Sequence, residues 1–434
     1  MQFGFRTDTL DPAAEQQGGT GGRSRSTRHR GTTPHLALSL VVLVGAFQGS
    51  LAADTPARAG RPAERTPASF RGLPVTWSQA NREFGFANWD AIFPTRVVPH
   101  GTAVHPLPAG PPLPTFSLGG AGALRLDRYA TDYKLAGIVV LHEGRIRLER
   151  YALSDSAAGR WTSFSMAKSL TSTLVGTAIR DGFIGSVDDP VTRYIPDLRG
   201  SAYDGVTVRQ LLTMTSGVKW NEDYTDLNSD VARAGTAVPD PGVDAMVSYM
   251  RKLPREAPPG EKWLYSTGET CLLGALVKQA TQKTLATYLS EKIWAAYGME
   301  QDASWQLDVT GHEVGGCCFQ AALRDYARFG QFILDGAQID GRPIVADGWL
   351  EAATRKQAGI GQPGRGYGYQ WWTWDDGTFD ALGIHGQMIH IDPARRLVVA
   401  INSAWPVATG KEPSAARVAL VDAIAAAVDS ETRR

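Results

Sequence analysis

The 434-residue sequence lacks most of the features that would point to a metal, a cofactor or a nucleic acid. Its 44 Lys and Arg balance 44 Asp and Glu, so the formal net charge is zero and nothing steers the chain toward nucleic acid. It has no Gly-x-Ser-x-Gly elbow, no His-Glu-x-x-His zinc helix and no phosphate-binding Gly-x-x-x-x-Gly-Lys loop. His312-Glu313 has no second histidine at the zinc spacing. We therefore expect no metal, no organic cofactor and no nucleic-acid partner.

Apolar runs long enough to cross a bilayer comfortably are also lacking. The longest near the N-terminus, residues 36–47, has twelve residues, whereas a spanning helix needs about 20. Four arginines between positions 23 and 30 precede it, and the small residues Ser50, Ala52 and Ala53 follow. This order predicts that residues 1–53 are an export segment, cleaved before Asp54. We expect a periplasmic or secreted protein without stable membrane insertion; an uncleaved N-terminal anchor is the alternative.

Only three cysteines are present, and their spacing does not resemble a zinc site. Adjacent cysteines rarely pair with each other, so no bond between Cys317 and Cys318 is expected. Cys271 is predicted to be a core residue on an apolar helix. A bridge from Cys271 to either of the other two remains open.

What the sequence does contain is a mixed pattern of strands and helices. Residues 54–119 are rich in proline and predict an irregular N-terminal arm. Two hairpins are predicted, at 137–151 around Glu143-Gly144 and at 388–401. Helical spacing of apolar residues is found near 165–180, 268–281, 285–297, 321–334 and 413–428. We predict one α/β domain over residues 120–430, in which an antiparallel sheet is flanked by helices and carries an inserted, mostly helical region.

A Ser-x-x-Lys sequence opens the first of these helices. Serine is a poor nucleophile until a base takes its proton, and a lysine can do so if burial lowers its pKa. Ser165 and Lys168 are three residues apart and would share one helix face. A second copy, Ser216 to Lys219, starts in a turn without helical periodicity. Only the first copy therefore predicts a catalytic pair. The alternative is a structural role, in which Ser165 only caps the helix and Lys168 is solvated.

Two later segments support this interpretation. Tyr265 precedes Ser266, which forms a capping-box pattern with Glu269, so the tyrosine should stand at a helix start. A phenol beside a lysine ammonium is expected to lose its proton more easily and to relay protons. Near the end, glycines around His385 would let a backbone amide approach a ligand closely. A structural role for His385 is left open.

The order of these motifs resembles the serine β-lactamase and penicillin-binding superfamily. The three motifs are Ser165-Met-Ala-Lys168, Tyr265-Ser-Thr267 and His385-Gly-Gln387. Flanking segments at 164–169, 188–190 and 211–217 look like the class C branch and its esterase relatives. Those at 366–372, 383–387 and 392–393 look closest to 6-aminohexanoate-dimer hydrolases. The resemblance covers roughly residues 120–425.

The resemblance implies an acyl-enzyme mechanism for cleaving amides or esters of small molecules. Ser165 would attack the carbonyl, Lys168 and Tyr265 would share the base and acid roles, and backbone amides of Ser165 and near Gln387 would hold the oxyanion. The implied substrate-binding residues are Tyr224, Trp372, His385, Gly386 and Gln387.

Departures from the family pattern lower the expectation of β-lactam cleavage. Thr267 replaces the usual asparagine, and His385 and Gln387 stand where a Lys-Thr-Gly element would be. We expect an amidase of the aminohexanoate-dimer type, with a carboxylesterase of the same fold as the alternative. A β-lactamase, a D,D-peptidase or a non-catalytic binding module is expected less.

Overall fold

Strand-forming sequence near both ends of the domain builds one large antiparallel sheet. The computed structural model describes residues 70, 73–114, 116 and 126–432, which belong to one unit, Thr66–Arg434. The predicted export segment lies outside the described residues. The strands are β1 Thr95–Val98, β2 Leu135–His142, β3 Arg145–Tyr151, β4 Trp161–Thr162, β5 Ala303–Gln306, β6 Phe319–Ala321, β7 Gln338–Ile339, β8 Arg342–Pro343, β9 Ala358–Gly359, β10 Arg365–Tyr367, β11 Trp372–Trp374, β12 Phe379–Gly383, β13 Gln387–Asp392 and β14 Leu397–Ser403. Eight of them form a sheet in the order β3-β2-β14-β13-β12-β11-β10-β9.

Helices cover both faces of this sheet and fill the long segment between the two hairpins. They are α1 Gln79–Ala87, α2 Trp89–Ile92, α3 Leu126–Asp132, α4 Ala167–Arg180, α5 Val208–Leu212, α6 Asp230–Ala234, α7 Ala245–Met250, α8 Thr267–Thr281, α9 Leu285–Leu289, α10 Ala295–Tyr297, α11 Leu323–Leu334, α12 Trp349–Thr354 and α13 Lys411–Thr432. A π turn, Ser290–Trp294, joins α9 to α10. The predicted α/β class, both hairpins and all five helical segments are confirmed, with shifts of a few residues at their ends.

Alternate residues of the central strands point to opposite faces, and each face has its own core. On one face Val139, Leu141 and Ile389 pack in the cluster that also contains the apolar residues of α4, α8 and α11. On the other face Val140 and Met388 pack with residues of α13. The C-terminal helix therefore closes one side of the sheet, and the helical region covers the other.

The N-terminal arm is more regular than its sequence predicts. Its described part contains α1, α2 and strand β1, and β1 joins a second antiparallel sheet in the order β1-β5-β6-β4. The Ser78 hydroxyl caps α1 by accepting from the Asn81 amide at 3.2 Å. An irregular arm was the wrong expectation for residues 79–98, because a nine-residue helix is too short to show periodicity beside so many prolines.

Helix α4 is buried on nearly every side, and Gln370 ties it to its neighbours. The Gln370 backbone adopts φ 64°, and its carbonyl accepts from Ser169 Oγ of α4 at 2.8 Å. Its side-chain oxygen accepts from Thr270 Oγ1 of α8 at 2.6 Å, and its side-chain amide donates to the Leu211 and Leu212 carbonyls of α5 at 3.0 and 2.9 Å. One buried residue, through its side chain and its backbone carbonyl, thus fixes three helices relative to the strand that follows it.

The cysteines differ from expectation in one respect. Cys271 is a buried free thiol on α8, as predicted. Cys317 and Cys318, which were not expected to pair, are joined to each other. Successive side chains of an extended strand point to opposite sides, but φ 67° at Cys318 breaks that alternation and brings the two sulfurs together.

None of the helices in the described residues is both long enough and apolar enough to cross a membrane.

Candidate active site

Ser165 lies in a short turn at the entrance to α4. The 3-10 turn Phe164–Met166 precedes the helix, and Ser165 is 8% exposed. Phe164 adopts φ 44°, a left-handed conformation that costs a bulky residue of order 1–3 kcal/mol. The helix therefore begins at residue 167 rather than 165. The Ser165 hydroxyl therefore lies just before the first turn of α4, where the helix dipole favours negative charge.

Lys168 faces Ser165 from the first turn of the helix, as the spacing predicts. Its Nζ donates three hydrogen bonds, to Ser165 Oγ at 3.0 Å, to Thr267 Oγ1 at 2.9 Å and to the Gly316 carbonyl at 2.7 Å. The residue is 1% exposed. Burial lowers the pKa of this amine to about 8, although the nearby Glu222 carboxylate works in the opposite direction. An amine with such a pKa can exchange a proton near neutral pH.

Tyr265, two residues before the start of α8, is the third member of the group with Ser165 and Lys168. The Ser165 hydroxyl is close enough to the Tyr265 phenol to lower the pKa of that phenol, and Lys168 Nζ lies 5.1 Å from the centre of the Tyr265 ring. The expectation of an easily lost phenol proton is wrong. Burial, and secondarily the negative charge of Glu222, raise the pKa of Tyr265 well above its ordinary value. The phenol is therefore a neutral hydroxyl in the resting site.

Glu222 is a site residue that sequence reasoning did not identify. Its carboxylate accepts from the Thr267 amide at 2.9 Å, from the Tyr224 hydroxyl at 2.6 Å, and also from the Thr267 hydroxyl and the Trp220 indole N–H. Because the Thr267 hydroxyl donates to Glu222, its oxygen is free to accept from Lys168. The threonine that replaces the family asparagine thus connects the lysine to a carboxylate.

Tyr224 and Trp372, the two aromatic residues predicted to bind substrate, lie close to Tyr265. The Tyr224 hydroxyl reaches the site through Glu222. The Trp372 ring stacks on the Tyr265 ring with centroids 5.5 Å apart and an interplanar angle of 22°. All three residues are partly exposed, whereas Ser165 and Lys168 are buried. The aromatic residues are therefore the walls above a buried nucleophile and base.

His385 lies behind this site rather than on its open side. Its ring is 0% exposed, and its centroid lies 5.6 Å from that of Phe164 and 5.3 Å from that of Phe86. Its Nδ1 meets the Trp405 carbonyl at 2.8 Å, so Nδ1 carries the proton. Burial lowers the pKa of His385 to about 4. The ring is neutral, and a substrate would not touch it without rearrangement.

Gly386 and Gln387 begin strand β13 next to the nucleophile turn. Gly386 has φ 93°, and a Cβ there would lie 2.4 Å from the Trp405 indole. The Gln387 side chain donates to the Ile384 and Ser403 carbonyls at 3.1 and 2.7 Å and accepts from the Ser403 amide at 3.0 Å. These bonds hold the strand end and engage both the oxygen and the nitrogen of the Gln387 side chain with the backbone.

The second Ser-x-x-Lys copy has a different environment. Ser216 Oγ donates to Glu269, whereas Lys219 is exposed, and no hydrogen bond joins the two side chains within the described part of the chain. Burial raises the pKa of Glu269 to about 8. The Ser266 hydroxyl accepts from the Glu269 amide at 3.2 Å, but the glutamate side chain turns to Ser216, so only half of the predicted capping box forms.

Within the ranges the structure describes, one group of side chains has the types and spacing of metal ligands. It consists of Asp244, Asp308 and His312, all partly buried. His312 Nδ1 bonds Asp244 at 2.6 Å, and Asp308 accepts from the Thr310 and His312 amides at 2.8 and 3.1 Å. These internal bonds account for the proximity of the three residues without an ion.

Comparison with known proteins agrees with this fold. The Beta-lactamase family model matches residues 125–424. A 6-aminohexanoate-dimer hydrolase from Paenarthrobacter ureafaciens is 30% identical over 372 residues, which cover 80% of this chain and 92% of that protein. Esterase EstB from Burkholderia gladioli is 32% identical over 211 residues, which cover 42% of this chain and 52% of that protein.

Solved structures share the same architecture. A Bacillus anthracis protein with the provisional name 6-aminohexanoate-dimer hydrolase has a TM-score of 0.73 and 24% identity, and the match covers 83% of this chain and 98% of that one. A family VIII carboxylesterase has a TM-score of 0.52 and 17% identity, covering 69% and 96%. Family model, sequence relatives and fold lead to one conclusion: this chain belongs to the β-lactamase family and is a serine hydrolase.

Proposed function

We propose that the protein cleaves amide bonds of small linear substrates of the 6-aminohexanoate-dimer type, through an acyl-enzyme on Ser165. The single observation that carries this proposal is the hydrogen bond of 3.0 Å from Lys168 Nζ to Ser165 Oγ, made by an amine whose pKa is lowered to about 8. Esters of similar size are the second candidate, supported by the similarity to EstB.

The contacts of Lys168 determine where its lone pair points after deprotonation. Two acceptors, Thr267 Oγ1 and the Gly316 carbonyl, hold two of its N–H bonds. The third N–H bond points to Ser165 Oγ, and when its proton leaves, the lone pair of Nζ points to Ser165 Oγ instead. The neutral amine then accepts the hydroxyl proton as Ser165 Oγ bonds to the substrate carbonyl carbon. Glu222 orients the Thr267 hydroxyl and stabilises the resulting ammonium.

Tyr265 acts as the acid in the same step. Its raised pKa keeps the proton on the phenol, and its closeness to Ser165 places it beside the carbon–nitrogen bond of the substrate that breaks. The phenol donates its proton to the leaving amine and is reprotonated from Lys168. Water then attacks the carbonyl carbon of the acyl-enzyme. The Tyr265 and Lys168 pair takes the proton of the water and returns a proton to Ser165 Oγ as the acyl group leaves.

The oxyanion is assigned to the backbone amides of Ser165 and Gln387. Support comes from Gly383, whose missing side chain lets β12 approach the nucleophile turn: a Cβ there would lie 2.3 Å from the Ser163 carbonyl. This close approach brings the β12–β13 end beside Ser165. Donors fixed in advance at such a position stabilise the tetrahedral intermediate.

A neutral histidine argues against a β-lactam substrate. A β-lactam carries its carboxylate close to the reacting carbonyl and needs a cation at the start of β13, where His385 is buried and uncharged above about pH 4. The carboxylate of 6-aminohexanoate dimer is five methylenes away from its amide and does not need a cation at that place. The open walls are instead the aromatic side chains Trp372, Tyr265 and Tyr224, which suit the apolar methylene chain of such a substrate.

Three substrates separate the candidate activities. We expect the purified protein to hydrolyse 6-aminohexanoate dimer and p-nitrophenyl butyrate and to leave nitrocefin intact. A fluorophosphonate should label Ser165, and the label should vanish in Ser165→Ala but persist in Ser216→Ala. Lys168→Ala should remove turnover, while the matched Lys219→Ala keeps it. Labelling that persists in Ser165→Ala contradicts the nucleophile assignment.

Export to the periplasm or medium belongs to the same proposal. It is supported by the basic and apolar segments within residues 1–53. N-terminal sequencing of the protein recovered from the host's periplasm or medium tests it. A start near Asp54 is expected, and an intact residue 1–53 segment would favour the uncleaved anchor.

A further inference from the structure

The residue before the nucleophile is held in a conformation that its own side chain disfavours. Phe164 has φ 44°, a region that aromatic residues seldom occupy. Such a conformation persists only where the surroundings over-determine it. The orientation of Ser165 depends directly on this residue, because the two are adjacent in the same tight turn.

The surroundings of the Phe164 ring come largely from the N-terminal arm. Phe86 of α1 meets it edge to face at 4.8 Å and 80°, and Trp89 of α2 does so at 5.4 Å and 79°. All three rings are buried. The Beta-lactamase family model begins at residue 125, so both arm rings lie outside the matched part of the chain.

The arm is attached to the domain by bonds that do not involve Phe164. Trp89 Nε1 donates to Gln306 Oε1 at 2.9 Å, and the Ala87 carbonyl accepts from Gln320 Nε2 at 3.1 Å. Both partners belong to the small sheet. Shortening the Phe86 side chain would therefore remove its contact with Phe164, and its contacts with four other rings, while both of these hydrogen bonds remain.

The backbone of Phe164 is held separately. Its carbonyl accepts from Ser163 Oγ at 2.9 Å and from the Cys318 amide at 3.2 Å. These bonds fix the peptide, and the arm rings fix the side chain. Two independent restraints on one residue are what a disfavoured backbone conformation requires.

We propose that Phe86 is a positioning residue for Ser165, acting through Phe164. This inference rests on the proposed function, in which Ser165 is the nucleophile. The arm would then contribute to acylation itself, without touching the substrate.

The test compares Phe86→Ala and Phe86→Leu with a control from the same aromatic cluster. Phe93 is suitable because its ring packs on Trp89 at 4.6 Å and on Trp77 at 6.2 Å and makes no ring contact with Phe164. The acylation rate is followed as the burst of p-nitrophenol from p-nitrophenyl butyrate. KM and the thermal unfolding midpoint are measured alongside.

We expect Phe86→Ala to slow acylation roughly tenfold with KM changed less than twofold, and Phe86→Leu to recover most of the rate. Phe93→Ala should lower the unfolding midpoint but keep the wild-type burst. An unchanged burst in Phe86→Ala, or equal slowing in Phe93→Ala, would overturn the positioning role. If Phe86→Ala fails to fold, the acylation rate of Phe86→Leu is compared with that of Phe93→Ala, and a Phe86→Leu rate no lower than the Phe93→Ala rate would overturn the positioning role. A burst that survives in Ser165→Ala would overturn the proposed function as well, which separates the two failures.

Discussion

The pH dependence of turnover gives the most direct measure of the lysine in the active site. Lys168 must be neutral to take the serine proton, and its pKa is lowered to about 8. About one-tenth of the molecules then hold a neutral amine at pH 7 and about one-hundredth at pH 6. We expect kcat/KM to rise about tenfold per pH unit up to pH 7.5 and to level off above pH 8.5.

The assay is hydrolysis of p-nitrophenyl butyrate between pH 5.5 and 9.5, with kcat and kcat/KM determined at each pH. Glu269 needs a control, because burial raises its pKa to about 8 as well. It bonds Ser216 rather than Lys168, so Glu269→Gln should leave the rise of kcat/KM in place. A profile that is flat from pH 6 to 9, or that rises only above pH 10, would refute the assignment of Lys168 as the base.

The remaining predictions concern stability and proton transfer. Folding raises the pKa of Glu269 from 4.5 to about 8. Its contribution to the free energy of unfolding is therefore greatest below pH 4.5 and is lost as the pH rises through 8. The loss amounts to about 5 kcal/mol. Urea unfolding at pH 5 and pH 9 should therefore show a smaller difference for Glu269→Gln than for wild type, and equal differences would contradict the burial argument. Tyr265→Phe should lower turnover at least ~100-fold with the fold intact by circular dichroism, and near-normal rates would remove the phenol from the mechanism. Gly386→Ala should lower the thermal unfolding midpoint, because its methyl would lie 2.4 Å from Trp405 at φ 93°; an unchanged midpoint would show that the indole moves aside.

Local patterns predicted the parts of the fold that depend on neighbours in sequence. The hairpin around Glu143-Gly144 follows from alternation and a turn dipeptide, and α8 follows from a cap with apolar residues at helical spacing. The contact between Ser165 and Lys168 could also be predicted, because side chains three residues apart on a helix lie on the same face. Tyr265 was placed through its helix cap and the order of the motifs.

Contacts between distant segments could not be predicted in the same way. Gly316 takes part in the site through its carbonyl, a group that every residue has, so no residue type signals it. Glu222 acquires its role from a loop conformation that brings four donors to one carboxylate. The rise in the Tyr265 pKa depends on how deeply the phenol is buried, which the sequence does not state.

The bonding of Gln370 has a practical consequence for altering the specificity of the enzyme. Because this side chain joins α5 to α8 at the residue whose backbone carbonyl also holds α4, replacing it would disturb the base of the site together with the domain core. Two residues further along the chain, Trp372 is partly exposed and contributes only a wall. Libraries aimed at longer or bulkier acyl groups should therefore randomise position 372 and leave Gln370 and the stacked Tyr265 invariant.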